Sequence, residues 1–166
     1  MGEVRRRAFR RKYLSLGIGE LVAAAVFLTA ARHAVAPRLF SAERAALWAA
    51  LLPLLVVLTQ AGAYWLLARG WVLRAAMPIG LSRLFRLLRV VDVLVLLAGL
   101  VGLVRWWPDR TGAAVLVVAV WLFGLLEYVN YFLTRLSYPA SRWATEVTRW
   151  RTPRLVRDMR TTQRGR

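Results

Sequence analysis

The sequence predicts an all-α polytopic membrane protein, an antiparallel bundle of four transmembrane helices with both termini in the cytoplasm (N-in/C-in). Three observations predict it. Apolar residues make up 59% of the 166-residue chain, above the roughly 45–50% of an ordinary soluble protein. They gather in four runs, each about the 20 residues needed to cross the ~30 Å hydrocarbon core. Basic residues outnumber acids 25 to 8, giving a formal net charge of +17, and they fall mainly in the gaps between those runs. A strand exposed to lipid would leave its backbone groups unpaired, so helices are the spanning elements.

The first span covers residues 13–36, interrupted by Glu20 and, near its far end, by Arg32 and His33. The second covers 45–68 and contains Pro53 and Gln60. The third covers 87–107, with Asp92 near its start and Pro108 closing it. The fourth covers 111–134, with Glu127 and Asn130 in its second half. Together they form a domain over 1–138, followed by a basic tail over 139–166. Between the second and third spans, residues 70–90 place Leu81, Leu84, Phe85 and Leu88 at helical spacing among Arg83, Arg86 and Arg89. This reads either as a short interfacial helix or as the third span beginning early, with Pro78 and Gly80 breaking the chain before it. In the tail, Trp143, Val147 and Trp150 have the spacing of an amphipathic helix lying on anionic lipid. Beyond Pro153 the composition favours a partly ordered basic segment.

Orientation follows from the arginines, since Lys and Arg collect on the cytoplasmic side. Six basic residues precede the first span, five lie between the second and third, and nine follow Thr134. The other two connections hold Arg32, Arg38, Arg44, Arg105 and Arg110. An even number of spans puts both ends on one side, and the charge puts that side in the cytoplasm. Tryptophans favour the headgroup region, and Trp48, Trp65, Trp71, Trp106, Trp107, Trp143 and Trp150 all fall at or beyond span ends. Trp121 alone lies mid-span. Lys12 is the only lysine among the 25 basic residues. With so much Ala, Val and Leu, that bias points to a GC-rich bacterial genome and hence to a bacterial plasma membrane. Arg6-Arg7-Ala8-Phe9 has a twin-arginine look and Ala34-Val35-Ala36 a signal-peptidase look. Pro37 follows the second, and cleavage would separate the basic ends across the membrane, so the first span is read as retained.

The polar residues inside the spans carry the functional question. Glu20 and Glu127 each lie about 10 Å, Asp92 about 8 Å and Gln60 about 12 Å from the cytoplasmic ends of their spans. Each span thus brings a polar group to one level in the inner leaflet, and the outer half has nothing comparable. Glu127, Asn130, Tyr131 and Thr134 share one helical face, as do Gly17, Glu20 and Ala24. Ala98 and Gly102 give the third span a small-residue pair for close helix approach. These faces should point inward, because an acid facing lipid costs about 2.5–3.5 kcal/mol on insertion scales.

Three readings of this layer stand open. It is interhelical glue, with Arg86 or Arg89 reaching an acid and Gln60 and Asn130 bonding across helices. Or Glu20, Gln60, Asp92, Glu127, Asn130 and Tyr131 line a cytoplasm-facing site for a proton, a cation or a polar small molecule. Or the protein is an enzyme on lipid or isoprenoid phosphates. For the third, Glu127 with Asn130 is a poor metal pair and no repeated aspartate motif would hold a pyrophosphate-bound Mg²⁺. Among other chemistries, the absence of cysteine excludes disulfides and thiolate sites, and the single His33 excludes a histidine cluster or a Ser-His-Asp triad. No catalytic residue, metal site or cofactor is indicated. The basic charge is read as contact with anionic lipid headgroups through Arg83, Arg86 and Arg89, not with nucleic acid. A second copy or a membrane-protein partner is compatible with such a bundle.

The run Glu127-Tyr128-Val129-Asn130-Tyr131-Phe132, followed by Leu136-Ser137-Tyr138, resembles the last-helix signature of small uncharacterised bacterial integral membrane proteins. That resemblance implies an inner-membrane protein and singles out Glu127 and Asn130. The sequence reading therefore favours a non-catalytic accessory or interaction protein, with a small transporter or binding protein as the alternative.

Overall fold

The structure is a computed structural model that describes residues 2–133, 154–156 and 158–159. Among these residues the long elements are four helices: α1 (Gly2–Ala30), α2 (Ser41–Ala68), α3 (Ile79–Arg105) and α4 (Thr111–Phe132). Each is long and apolar enough to cross a membrane.

The first three helices begin before the apolar runs that announce them. The arginine-rich segment before Tyr13 is already part of α1, since arginine is a good helix former and Glu3 lies in the first turn, where the helix dipole favours an acid. At its far end α1 widens into a π-helical turn over Ala31–Val35 and tightens into a 3₁₀ turn over Ala36–Arg38. Residues 70–90 do not form a separate interfacial helix. The third span simply begins early, at Ile79 directly after Pro78, so Arg83, Arg86 and Arg89 stand on the first turns of α3. The turn before it holds Leu73 at φ 56°, a left-handed conformation uncommon for a side chain of this kind.

α2 is the central helix. In its apolar stretch 56% of residues are buried, against 17%, 28% and 22% for the first, third and fourth, and it packs on all three of the others. Contact pairs give the relative directions. Gly17 meets Leu66 and Gly62 meets Leu21, so α1 and α2 run oppositely. Pro53 meets Gly99, Gln60 meets Asp92 and Tyr64 meets Phe85, so α3 also opposes α2. Leu54 meets Gly124 and Trp65 meets Tyr131, so α4 runs parallel to α2.

Small residues set these approaches. A Cβ on Gly17 would lie 2.8 Å from Leu66 Cγ and 3.0 Å from the Gly62 carbonyl oxygen, so two helix backbones come close there. Between α2 and α3 the device is sharper. Pro53 lacks an N–H and leaves the Ala49 carbonyl without its usual helical donor. That carbonyl faces α3, where a Cβ on Gly99 would sit 2.6 Å from its oxygen. The pair that packs is therefore Gly99 with Gly102, both buried, and not Ala98 with Gly102. Ala98 is exposed, because one residue of offset rotates a helix position by about 100°.

Large apolar side chains remain exposed on the outer faces, among them Val22 and Val26 on α1, Leu94 and Val101 on α3, and Val115 and Leu126 on α4. Apolar exposure on this scale exceeds the patches of soluble monomers and suits a lipid surround.

Of the basic tail the structure describes one short piece. Leu155, Val156 and Met159 are buried at the end of the assembly where α1 begins, in one cluster with Tyr13, Tyr64, Met77 and Phe85. Their apolar side chains have a greasy surface to cover, which the surrounding arginines obscure in composition. The amphipathic pattern of Trp143, Val147 and Trp150, together with Thr134 and Leu136-Ser137-Tyr138, lies outside the described residues.

Candidate functional site

The polar side chains of the four long helices form two pairs on different helix interfaces. At the first, between α2 and α3, the Gln60 amide donates from Nε2 to Asp92 Oδ1 at 2.7 Å. Asp92 is 1% exposed. The second oxygen of each partner, Gln60 Oε1 and Asp92 Oδ2, is buried with no hydrogen-bond partner among the described residues. Gln60 reaches this position because α2 is buried around most of its circumference. Asp92 does so because Leu96 and Gly99, one and two turns on, continue the same buried face of α3.

At the second interface, between α1 and α4, the Tyr131 hydroxyl donates to Glu20 Oε1. Trp65 of α2 in turn donates its indole N–H to the Tyr131 oxygen at 3.5 Å. Glu127 lies one turn before Tyr131, near enough to Glu20 for the two carboxyl groups to influence each other, and its carboxyl interacts with the Asn130 side chain. Tyr131 is buried, while Glu20, Glu127 and Asn130 are half-buried. The inward-facing positions expected of Gly17 and Ala24 are observed, as both are buried.

Two expectations are thus corrected. Glu20, Asp92, Glu127 and Asn130 do not form one cluster, because α1 and α3 pack on α2 without extensive contact with each other and the central helix separates their acids. Nor does Arg86 reach an acid among the described residues. It donates to the Ser82 carbonyl within its own helix at 3.2 Å, while Arg83 stays exposed and Arg89 half-buried.

Sequence reasoning missed residues at both ends. The half of the assembly that holds the α1–α2 connection is not devoid of buried charge. Glu43, 3% exposed, accepts Arg110 Nε on Oε1 at 2.7 Å and Arg110 Nη2 on Oε2. It also accepts the Phe40 N–H at 3.0 Å, as an acid in the first turn of a helix does. The Arg110 guanidinium lies 4.6 Å over the Phe40 ring, and the Glu43 carboxylate raises its pKa further above the ordinary value. The available signal was an acid two residues after Ser41, at the start of a helix. At the opposite end Asp158 accepts the Tyr64 hydroxyl at 2.9 Å and the Trp71 indole N–H at 3.3 Å. Trp121, the mid-span indole, donates to the Leu96 carbonyl at 3.0 Å, which ties α4 to α3 and explains an aromatic so far from either interface.

Among the described residues no group of three or more His, Cys, Asp or Glu side chains converges to hold a metal ion. No protein-family model, no curated protein and no solved structure matches the chain.

Proposed function

We propose that this chain is a non-catalytic accessory or interaction protein of a bacterial plasma membrane, folded as an antiparallel four-helix bundle with both termini in the cytoplasm. The observation that carries the reading is the separation of the polar groups into interhelical pairs. Gln60 engages Asp92 on one side of α2, and Tyr131 engages Glu20 on the other. Polar side chains bonded across helices fix register and rotation. Divided in this way, they do not converge on one cargo. The arginines Arg83, Arg86 and Arg89 on the first turns of α3 suit anionic headgroups on the cytoplasmic face.

A second reading, a small transporter or binding protein for a proton or cation, has one specific observation in its favour. Gln60 Oε1 and Asp92 Oδ2 are both acceptors, both buried, and neither has a donor among the described residues.

Two measurements test these readings. The chain has no cysteine, so single cysteines at the exposed positions Ala8, Ala42, Ala76 and Asp109 report topology cleanly. A membrane-impermeant maleimide should label positions 42 and 109 on intact cells and reach 8 and 76 only after lysis; any other division rejects the topology. Purified protein in liposomes containing a pH-sensitive dye should pass no protons under an imposed potential. A flux abolished by Asp92→Asn or Glu127→Gln, with folding intact, would replace the accessory reading by the transport one.

A further inference from the structure

A groove of about 520 Å³ opens at the end of the assembly that holds the α1–α2 connection. One wall comes from the π turn, through Ala34 and Val35, and from Leu39 beyond it; the other is Ala113 and Leu116 of α4. Two arginines line it as well, Arg38 and Arg110. Neither swings freely. Arg38 donates from Nη1 to the Ala34 carbonyl. Arg110 is held by buried Glu43 through Nε and Nη2, and it donates from Nη2 to the Arg38 carbonyl at 3.1 Å.

The two walls differ in origin and agree in character. A π turn widens a helix locally and often marks a functional position, and here it turns small and apolar side chains toward the groove. Across from them Gly112 and Ala113 lie in the first turn of α4, where the first amides of a helix have no intrahelical acceptors and favour an anion. Glu43 balances one guanidinium. Arg38 has no carboxylate partner among the described residues, and Arg44, which donates to the Leu39 carbonyl at 3.3 Å, adds a further positive charge nearby. Asp109, the other acid at this end, does not line the groove.

A cationic mouth over apolar walls matches an amphiphile with an anionic head. We propose that this groove binds one anionic phospholipid, its phosphate between Arg38 and Arg110 and an acyl chain along Leu39, Ala113 and Leu116. The site is independent of the arginines at the start of α3, which lie at the opposite end. A free phosphate would leave the apolar walls uncovered, and a neutral lipid would leave the positive charge of Arg38 without an anion.

The test is native mass spectrometry of the delipidated full chain in a neutral maltoside detergent, titrated with phosphatidylglycerol. The wild-type protein should retain one lipid molecule. Arg38→Gln removes a charge-assisted bond and should weaken retention roughly tenfold. A Cβ at Gly112 meets nothing within 4 Å, so Gly112→Phe should be accommodated by the fold while filling the groove and abolishing retention. Arg11→Gln, an exposed position at the opposite end, should leave it unchanged, and neither excess inorganic phosphate nor diacylglycerol should compete. The proposal is overturned if Arg38→Gln retains lipid like the wild type. It is overturned equally if inorganic phosphate competes (a free-anion site) or diacylglycerol does (an acyl-chain groove alone). Should Gly112→Phe lose its helical circular-dichroism signal, Arg38→Gln and the competitors decide.

Discussion

The Gln60–Asp92 pair makes a quantitative demand on the interface between α2 and α3. Asp92 is 1% exposed and has one donor among the described residues, the Gln60 amide at 2.7 Å. Gln60→Leu roughly keeps the volume of the side chain and removes that donor, so a buried carboxyl loses the bond that satisfies it. Leaving a buried acceptor unsatisfied costs about 1–3 kcal/mol, well above the ~0.6 kcal/mol average for an interhelical bond in a membrane protein. Asp92→Leu should cost less, under about 1 kcal/mol, because half-buried Gln60 can turn its amide toward a polar neighbour. The double variant should return to within about 0.5 kcal/mol of wild type, since exchanging both partners for apolar groups leaves no orphan. Steric-trapping unfolding in bicelles measures all four corners of this cycle. The reasoning fails if Gln60→Leu lies within about 0.3 kcal/mol of wild type, or if the double variant loses the sum of the two singles.

Four further outcomes follow from contacts and burial elsewhere in the fold. Gly99→Ala places a methyl group 2.6 Å from the Ala49 carbonyl oxygen and should cost about 1–3 kcal/mol by overpacking. Gly19→Ala, with nothing within 4 Å, should stay within about 0.5 kcal/mol in the same detergent melt. Tyr131→Phe removes the bond to Glu20 and the acceptor of the Trp65 indole. It should cost about 0.6 kcal/mol and shift the tryptophan emission, whereas an unchanged spectrum would place Trp65 elsewhere. Met159→Asp puts a charge into the cluster around Tyr64 and Phe85 and should speed tryptic cleavage at Arg154, read by intact mass. An unchanged cleavage rate would mean that the segment is not docked.

Much of this was legible in the sequence, and the limit was a physical one. Hydropathy locates spans because lipid excludes charge, and counting turns from each span end placed Gln60 and Asp92 at one depth, where they indeed meet. Which helix stands in the middle was not legible. In water a buried face is apolar and an exposed face polar, so periodicity reveals rotation. In lipid both faces are apolar, and α2 carries no pattern that separates it from α3 or α4. The same loss of contrast misassigned Ala98 for Gly99 and merged two polar pairs into one. Glu43 escaped notice because an acid at a span end reads as solvated, and only the fold shows that Arg110, far along the chain, closes over it.

The irregular residues of α2 show how the chain recovers that missing information. Pro53, Gln60 and Gly62 each weaken a helix standing alone: one breaks a backbone bond, one carries an amide into hydrocarbon, one adds backbone freedom. Each has a counterpart on a neighbour that turns the defect into a fitting. The Ala49 carbonyl freed by Pro53 faces Gly99, the Gln60 amide meets Asp92, and Gly62 lies against Gly17. Two of these fittings fix α3 and one fixes α1, and all three lie on the one helix buried around most of its circumference. Where hydrophobicity cannot choose a partner, shape and single hydrogen bonds must, and the central helix carries the residues that make that choice.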